Sequence, residues 1–215
     1  MTTKGFQEDF ATIELLLASD ASTKRTDAFI LAYSKMEKQV RRIFTYIVFQ
    51  EPAFYMSESV SKNNIAGKIS SKGNLYFQNF ISGFNAIYPE SFESIVGSDY
   101  YTSFLKNNFC TIDKFRNKIV HGQLTGEDLD KDALERVICI LQDWCSRVGE
   151  KMMKEIGYDG LEKNSLRKHS DKNLADTYLT HISDIKGLDT FIKEKMSKEK
   201  MKKDGTYIDC KKAPL

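Results

Sequence analysis

Proline, histidine and tryptophan are scarce in these 215 residues, at three, three and one. With only Pro52, Pro89 and Pro214 and twelve glycines, collagen-like and proline-rich classes are excluded. So few chain breaks favour long helices over the frequent turns of a β-sandwich. No apolar stretch approaches the roughly 18 residues that a membrane span needs. The first residues, Met1 to Asp9, are polar and acidic where an export signal carries an apolar run, so a soluble, cytoplasmic protein is expected. The four cysteines (Cys110, Cys139, Cys145, Cys210) form no C-x-x-C pair and no dense framework, which predicts reduced thiols and no thiol-metal site. A one-sided charge is also missing. Lys plus Arg number 32 against 30 Asp plus Glu, so any polyanion site must be local.

What the chain does have is apolar periodicity, in a composition 41% hydrophobic and 29% charged. From about Asp27 to Phe49, residues Phe29, Tyr33, Met36, Val40, Ile43 or Phe44, and Ile47 recur at steps of three and four, predicting a long amphipathic helix. A shorter run (Phe10, Ile13, Leu16, Leu17) predicts a helix before it, with Ser19 to Thr23 supplying capping oxygens between them. Residues 51 to 73, with Pro52, Gly67 and Gly73, read as a connection or irregular excursion. Tyr76, Phe77, Phe80, Ile81, Phe84 and Tyr88 restore helical spacing until Pro89 stops it. A loop and a short helix near 99 to 108 precede a helix over Thr111 to Val120, with Gly122 available as a left-handed stop. Asp128 or Asp130 can cap a last long helix, on which Leu134, Val137, Ile138, Leu141, Trp144, Val148, Met152 and Ile156 form one stripe for about seven turns.

These elements predict an all-α bundle of four to five core helices over residues 1–157. From Tyr158 the composition shifts, with 13 basic residues against 10 acidic in the last 58, predicting a polar, Lys-rich extension over 158–215. There Leu174, Tyr178, Ile182 and Ile185, then Leu188, Phe191, Ile192 and Met196, can form two short helices that pack on the bundle or on a partner. Six lysines lie between Lys193 and Lys203, as phosphate contacts or as a solvated helix end.

Three histidines leave little choice for an imidazole site. His169 and His181 lie in the polar tail without partners at metal-ligand spacing. His121 closes the string Asp113-Lys114-Phe115-Arg116-Asn117-Lys118-Ile119-Val120-His121-Gly122, which joins a permanent cation to a titratable imidazole at one helix end. Asn117 and His121 are four apart and share a face, so Asn117 can orient the imidazole. Arg116 is long enough to reach the same cleft. Metal-independent RNA cleavage, in which the ribose 2′-oxygen attacks its own phosphate, needs a proton-transfer group of pKa near 7 and a cation for the phosphate oxygens. His121 and Arg116 fit those roles, and Lys114 and Lys118 are candidate RNA contacts on the same helix. No carboxylate cluster of the two-metal kind lies in this segment, and no metal or cofactor is expected.

The string Arg116-Asn117-Lys118-Ile119-Val120-His121-Gly122 resembles the R-x4-6-H signature of the HEPN superfamily, in which a polar residue often follows the arginine. The segment Phe29 to Glu37 looks like that family's first core helix, with an acidic position at Glu37. The resemblance covers about residues 5 to 157. It implies a homodimer whose two Arg-His motifs face one another in a composite cleft that cuts RNA without metal, in the setting of toxin-antitoxin modules and phage defence. It therefore also implies a possible antitoxin or other regulatory protein as a partner. Two features depart from the family. One branch carries a tyrosine two positions after the histidine, where this chain has Gln123, and the 58-residue tail has no counterpart.

Glu37 can orient the arginine or bind a ribose hydroxyl, or simply pair with Arg41 one turn away. Asp113 can pair with Arg116 or Asn117, or stabilise the helix start. The same bundle used as a non-catalytic interaction or RNA-binding module is the alternative reading. Gly67-Lys68-Ile69-Ser70-Ser71 lacks the residues a phosphate-binding loop requires. The aromatics from Tyr76 to Tyr88 can stack bases but at helical spacing read as core or dimer interface, and Cys139 and Cys145 read as small buried apolar groups.

Overall fold

The computed structural model describes residues 2–57, 62–70, 75–122, 131–169 and 173–210, and no strand occurs among them. In chain order the helices are α1 (Lys4–Ala18), α2 (Lys24–Phe49), α3 (Pro52–Tyr55), α4 (Lys62–Ser70), α5 (Phe77–Ile87), α6 (Phe92–Val96) and α7 (Ser98–Ser103). A π-helical turn (Phe104–Phe109) joins α7 to α8 (Cys110–Val120). Then come α9 (Lys131–Ile156), a 3-10 turn (Leu174–Thr177), α10 (Ile185–Lys195) and α11 (Lys198–Lys203).

α2 is the central element and packs on α1, α5 and α9. Its predicted stripe is buried from Phe29 to Ile47, and all eight stripe residues of α9 are buried as well. Trp144 of α9 sits inside a ring of aromatics, stacked on Phe104 at 3.9 Å and flanked by Phe77 and Phe92. Burying an apolar side chain of this class contributes about 1.5–3 kcal/mol, so these rings fix how α5, α6 and the π turn meet α9.

Local chemistry sets several ends. The Thr3 hydroxyl accepts from the Phe6 amide to start α1, and Asp184 and Ser197 do the same for α10 and α11. α5 ends at Ile87, and its extended cap Tyr88 is the residue before Pro89. Thr23 precedes α2, but its hydroxyl donates to the Asp27 carboxylate rather than accepting from a backbone amide. The expected caps Asp128 and Asp130, and Gly73 and Gln123, lie outside the described residues.

Four expectations are corrected. The stretch 51 to 73 holds two helices, because Pro52 sits at the first turn of α3, where no amide is needed, and Ile65 and Ile69 bury one face of α4. Leu174 to Ile182 forms only the 3-10 turn and an irregular, bent stretch, with Leu174, Tyr178 and Ile182 buried one by one. Cys110 and Cys210 are joined in a disulfide, not reduced. Their separation of 100 residues leaves no local spacing to read. In the chain-entropy picture a loop of that length contributes about 4.7 kcal/mol. Cys145 is buried as read, but Cys139 is exposed.

The tail wraps the C-terminal half of α2, where every residue from Ile43 to Gln50 is buried. Backbone carbonyls of the tail meet polar side chains of α2. Gln39 donates to the Asp159 and Cys145 carbonyls at 2.9 Å, and Arg42 binds the carbonyls of Leu161 and Lys163. Gln50 donates to the Arg167 carbonyl at 3.0 Å and accepts from the His169 amide at 2.8 Å. Glu51 accepts from the Ile182 amide at 3.2 Å. Farther on, α10 packs on α4 and α5, and α11 on α5.

Candidate functional site

α8 carries the motif, and the turn before it determines how. From Ser98 the helix runs on without a break through Phe104–Phe109, where the wider π turn adds a residue to the register, a feature common at functional sites. Phe104, Leu105, Phe109, Cys110 and Ile112 are buried on one side of this continuous helix. Asp113, Arg116 and Asn117 are left half-buried at the edge of the core.

These three form a network with α2. The Asn117 amide nitrogen donates to Asp113 at 3.2 Å, and the Arg116 guanidinium donates to the Asn117 carbonyl oxygen at 2.8 Å. From α2 the Tyr33 hydroxyl donates to the other Asp113 oxygen at 3.0 Å, and the guanidinium lies 5.7 Å from the centre of the Tyr33 ring. Burial pushes the Tyr33 hydroxyl far above its ordinary range, with Glu37 and Asp113 adding to the shift. It therefore stays a donor. Glu37 stands one turn along α2, and burial raises its carboxyl while the nearby Arg116 charge opposes the rise. The Arg41 charge opposes the rise as well, more weakly than Arg116.

His121 ends α8 and is exposed, its backbone amide donating to the Asn117 carbonyl at 3.0 Å. Gly122 follows at φ +64°, the left-handed stop that the spacing predicts. Arg116, Asn117, His121, Asp113, Glu37 and Lys114 line one open cleft of about 620 Å³, whereas Lys118 does not line it. The Asn117 amide is committed to Asp113 and Arg116, so it steadies the guanidinium where the sequence suggested the imidazole. An amide four residues away on the same face has both partners in reach, and the nearer charged groups take it.

Several lining residues had no sequence signal as site residues. Tyr33 reads as one more position of the α2 stripe, and only its place one turn before Glu37 hints that it shares that face. Tyr207, Asp209 and Cys210 reach the cleft from the tail. Of the aromatics on α5 and its approach, Phe77, Phe80, Phe84 and Tyr88 are buried, but Tyr76 is 58% exposed and lines the cleft.

The other candidates are structural. His181 pairs with Glu51 at 3.3 Å, and the His169 ring packs against Gly157. Gly67 and Lys68 lie within α4, and Lys68 approaches Asp189 at 3.9 Å. Among the described residues no group of His, Cys, Asp and Glu is arranged to hold a metal ion, and no helix is long and apolar enough to cross a membrane.

No protein-family model matches the chain, and neither a curated protein nor a solved structure matches it.

Proposed function

We propose that the protein is a HEPN-type endoribonuclease that cleaves RNA without a metal through Arg116 and His121. The observation that carries this reading is the convergence of a braced guanidinium and an exposed imidazole on one open cleft. The nucleophile is the ribose 2′-oxygen of the substrate. It attacks the adjacent phosphorus, the bond to the 5′-oxygen breaks, and the products are a 2′,3′-cyclic phosphate and a 5′-hydroxyl. His121 takes the 2′-hydroxyl proton or supplies one to the leaving oxygen, and Arg116 neutralises the charge on the phosphorane oxygens. In a homodimer with two motifs facing each other, one imidazole accepts while the other donates. Asn117, Asp113 and Tyr33 hold the guanidinium in place. The setting that accompanies this reading is a toxin or phage-defence effector restrained by a second protein.

The test is incubation of wild type, His121→Ala and Arg116→Ala with total and transfer RNA in EDTA, followed by analysis of fragment ends. Wild type should leave cyclic phosphates, and His121→Ala should be slower by about 10²–10⁴-fold. Parental cleavage by His121→Ala overturns the mechanism. No cleavage by folded, dimeric wild type favours the alternative, a non-catalytic RNA-binding or interaction module. The bonding of Arg116 within its own protomer gives that alternative its footing.

A further inference from the structure

The cleft does not end at Tyr76 and Tyr207. A second groove of about 520 Å³ begins at the same residues, sharing Tyr76, Asn79, Met201 and Tyr207 with the first. The two adjoin at these residues as one furrow, lined by His121 in its first part and by Lys193 and Lys198 in its second.

Its lining mixes rings and cations. Tyr76 is the aromatic that α5 leaves outside the core, so its ring is open to stacking. The Lys198 ammonium lies 4.7 Å from the centre of the Tyr207 ring, and Lys202 approaches the same ring at 5.7 Å. Lys193 stands on the furrow wall and pairs with Asp189 at 2.7 Å. Glu199 and Asp209 also line the furrow, so it is no general trap for polyanions and recognition has to draw on the rings. An exposed aromatic face beside lysines is the chemistry that holds single-stranded nucleic acid, whose bases stack while its phosphates meet the cations. A duplex offers no free base face to Tyr76.

We infer that the Tyr76–Tyr207 groove is a binding subsite for the single-stranded RNA flanking the phosphate that is cut, with Tyr76 stacking a base and Lys193 and Lys198 meeting phosphates. The inference rests on the reading of the Arg116/His121 cleft as the cutting centre. It goes beyond that reading by fixing substrate form and path: unpaired RNA, longer than the two nucleotides that the cutting centre itself touches.

The experiment compares a dinucleoside monophosphate with an unstructured decamer in EDTA, for wild type, Tyr76→Ala and the Lys193→Ala/Lys198→Ala pair. All three positions are at the surface, and circular dichroism checks that the fold is kept. Each variant should lose about tenfold more kcat/KM on the decamer than on the dinucleotide, with the decamer loss in KM. Equal losses on both substrates, or none on the decamer, overturn the inference. If wild type cuts neither substrate, the cutting reading has failed, and fluorescence anisotropy of the labelled decamer decides the subsite alone. About tenfold weaker binding by Tyr76→Ala and by the lysine pair then supports it, and binding equal to wild type overturns it.

Discussion

α2 carries polar residues on two sides, and the two sides are satisfied differently. At the back, Gln39 and, just past the end of α2, Gln50 bind backbone carbonyls and amides of the tail, groups that never change charge or leave. At the front, Tyr33 and Glu37 face other side chains, Asp113 and Arg116, at the rim of an open cleft. Backbone partners make a polar residue a fastener, since losing it strands a buried peptide group. Side-chain partners with open space beyond them make a polar residue part of a site, since the capacity left over faces a ligand. The lesson is that burial alone does not separate the two roles; the identity of the partner does.

The largest expected effect tests the back. Gln50→Ala strands the Tyr46 and Arg167 carbonyls and the His169 amide, and should cost about 3 kcal/mol of stability in urea unfolding. RNA cleavage per folded molecule should stay at the wild-type level, and a selective loss of cleavage would erase the distinction between the sides. A smaller effect tests the front. Tyr33→Phe removes the donor to Asp113 and should lower cleavage about tenfold, or about 1.4 kcal/mol, while unfolding shifts by less than about 1 kcal/mol. A loss of stability larger than the loss of activity would make Tyr33 a fastener too.

The smallest effect concerns Glu37, whose carboxyl is raised by burial. A carboxyl raised in the folded state favours the protonated form, so its contribution is intact below the ordinary glutamate range, roughly pH 4.3, and is lost as pH climbs through the raised value. Glu37→Gln removes that dependence. Thermal unfolding across this range should show the variant gaining on wild type as pH rises, and parallel curves would place the Glu37 carboxyl in a solvated setting.

How far the sequence reached follows from the same physics. α2, α5 and α9 were legible because each buries a stripe at helical spacing, and Gly122 marked the end of α8 by its freedom at positive φ. α4 was hidden, because it buries only Ile65 and Ile69 and carries a glycine. At the site, Arg116, Asn117 and His121 stood out as a compact string, and their meeting with Asp113 and Glu37 needed only helix geometry and one packing contact. Tyr33 was masked by its apolar ring, which serves the core while its hydroxyl serves the cleft. Tyr207 to Cys210 were out of reach, since nothing local in a chain links residue 210 to residue 110.

That link also gives the molecule a ring. Cys110 opens the helix that bears the motif, and Cys210 of the tail lines the same cleft, so the sulfurs close a covalent circuit through α8, α9, α10 and α11. A single backbone cut anywhere on that circuit leaves one molecule of unchanged mass apart from the added water. Nicked protein therefore migrates as a whole chain on a denaturing gel until a thiol is added, and the tail residues that line the cleft remain tethered to α8 after the break.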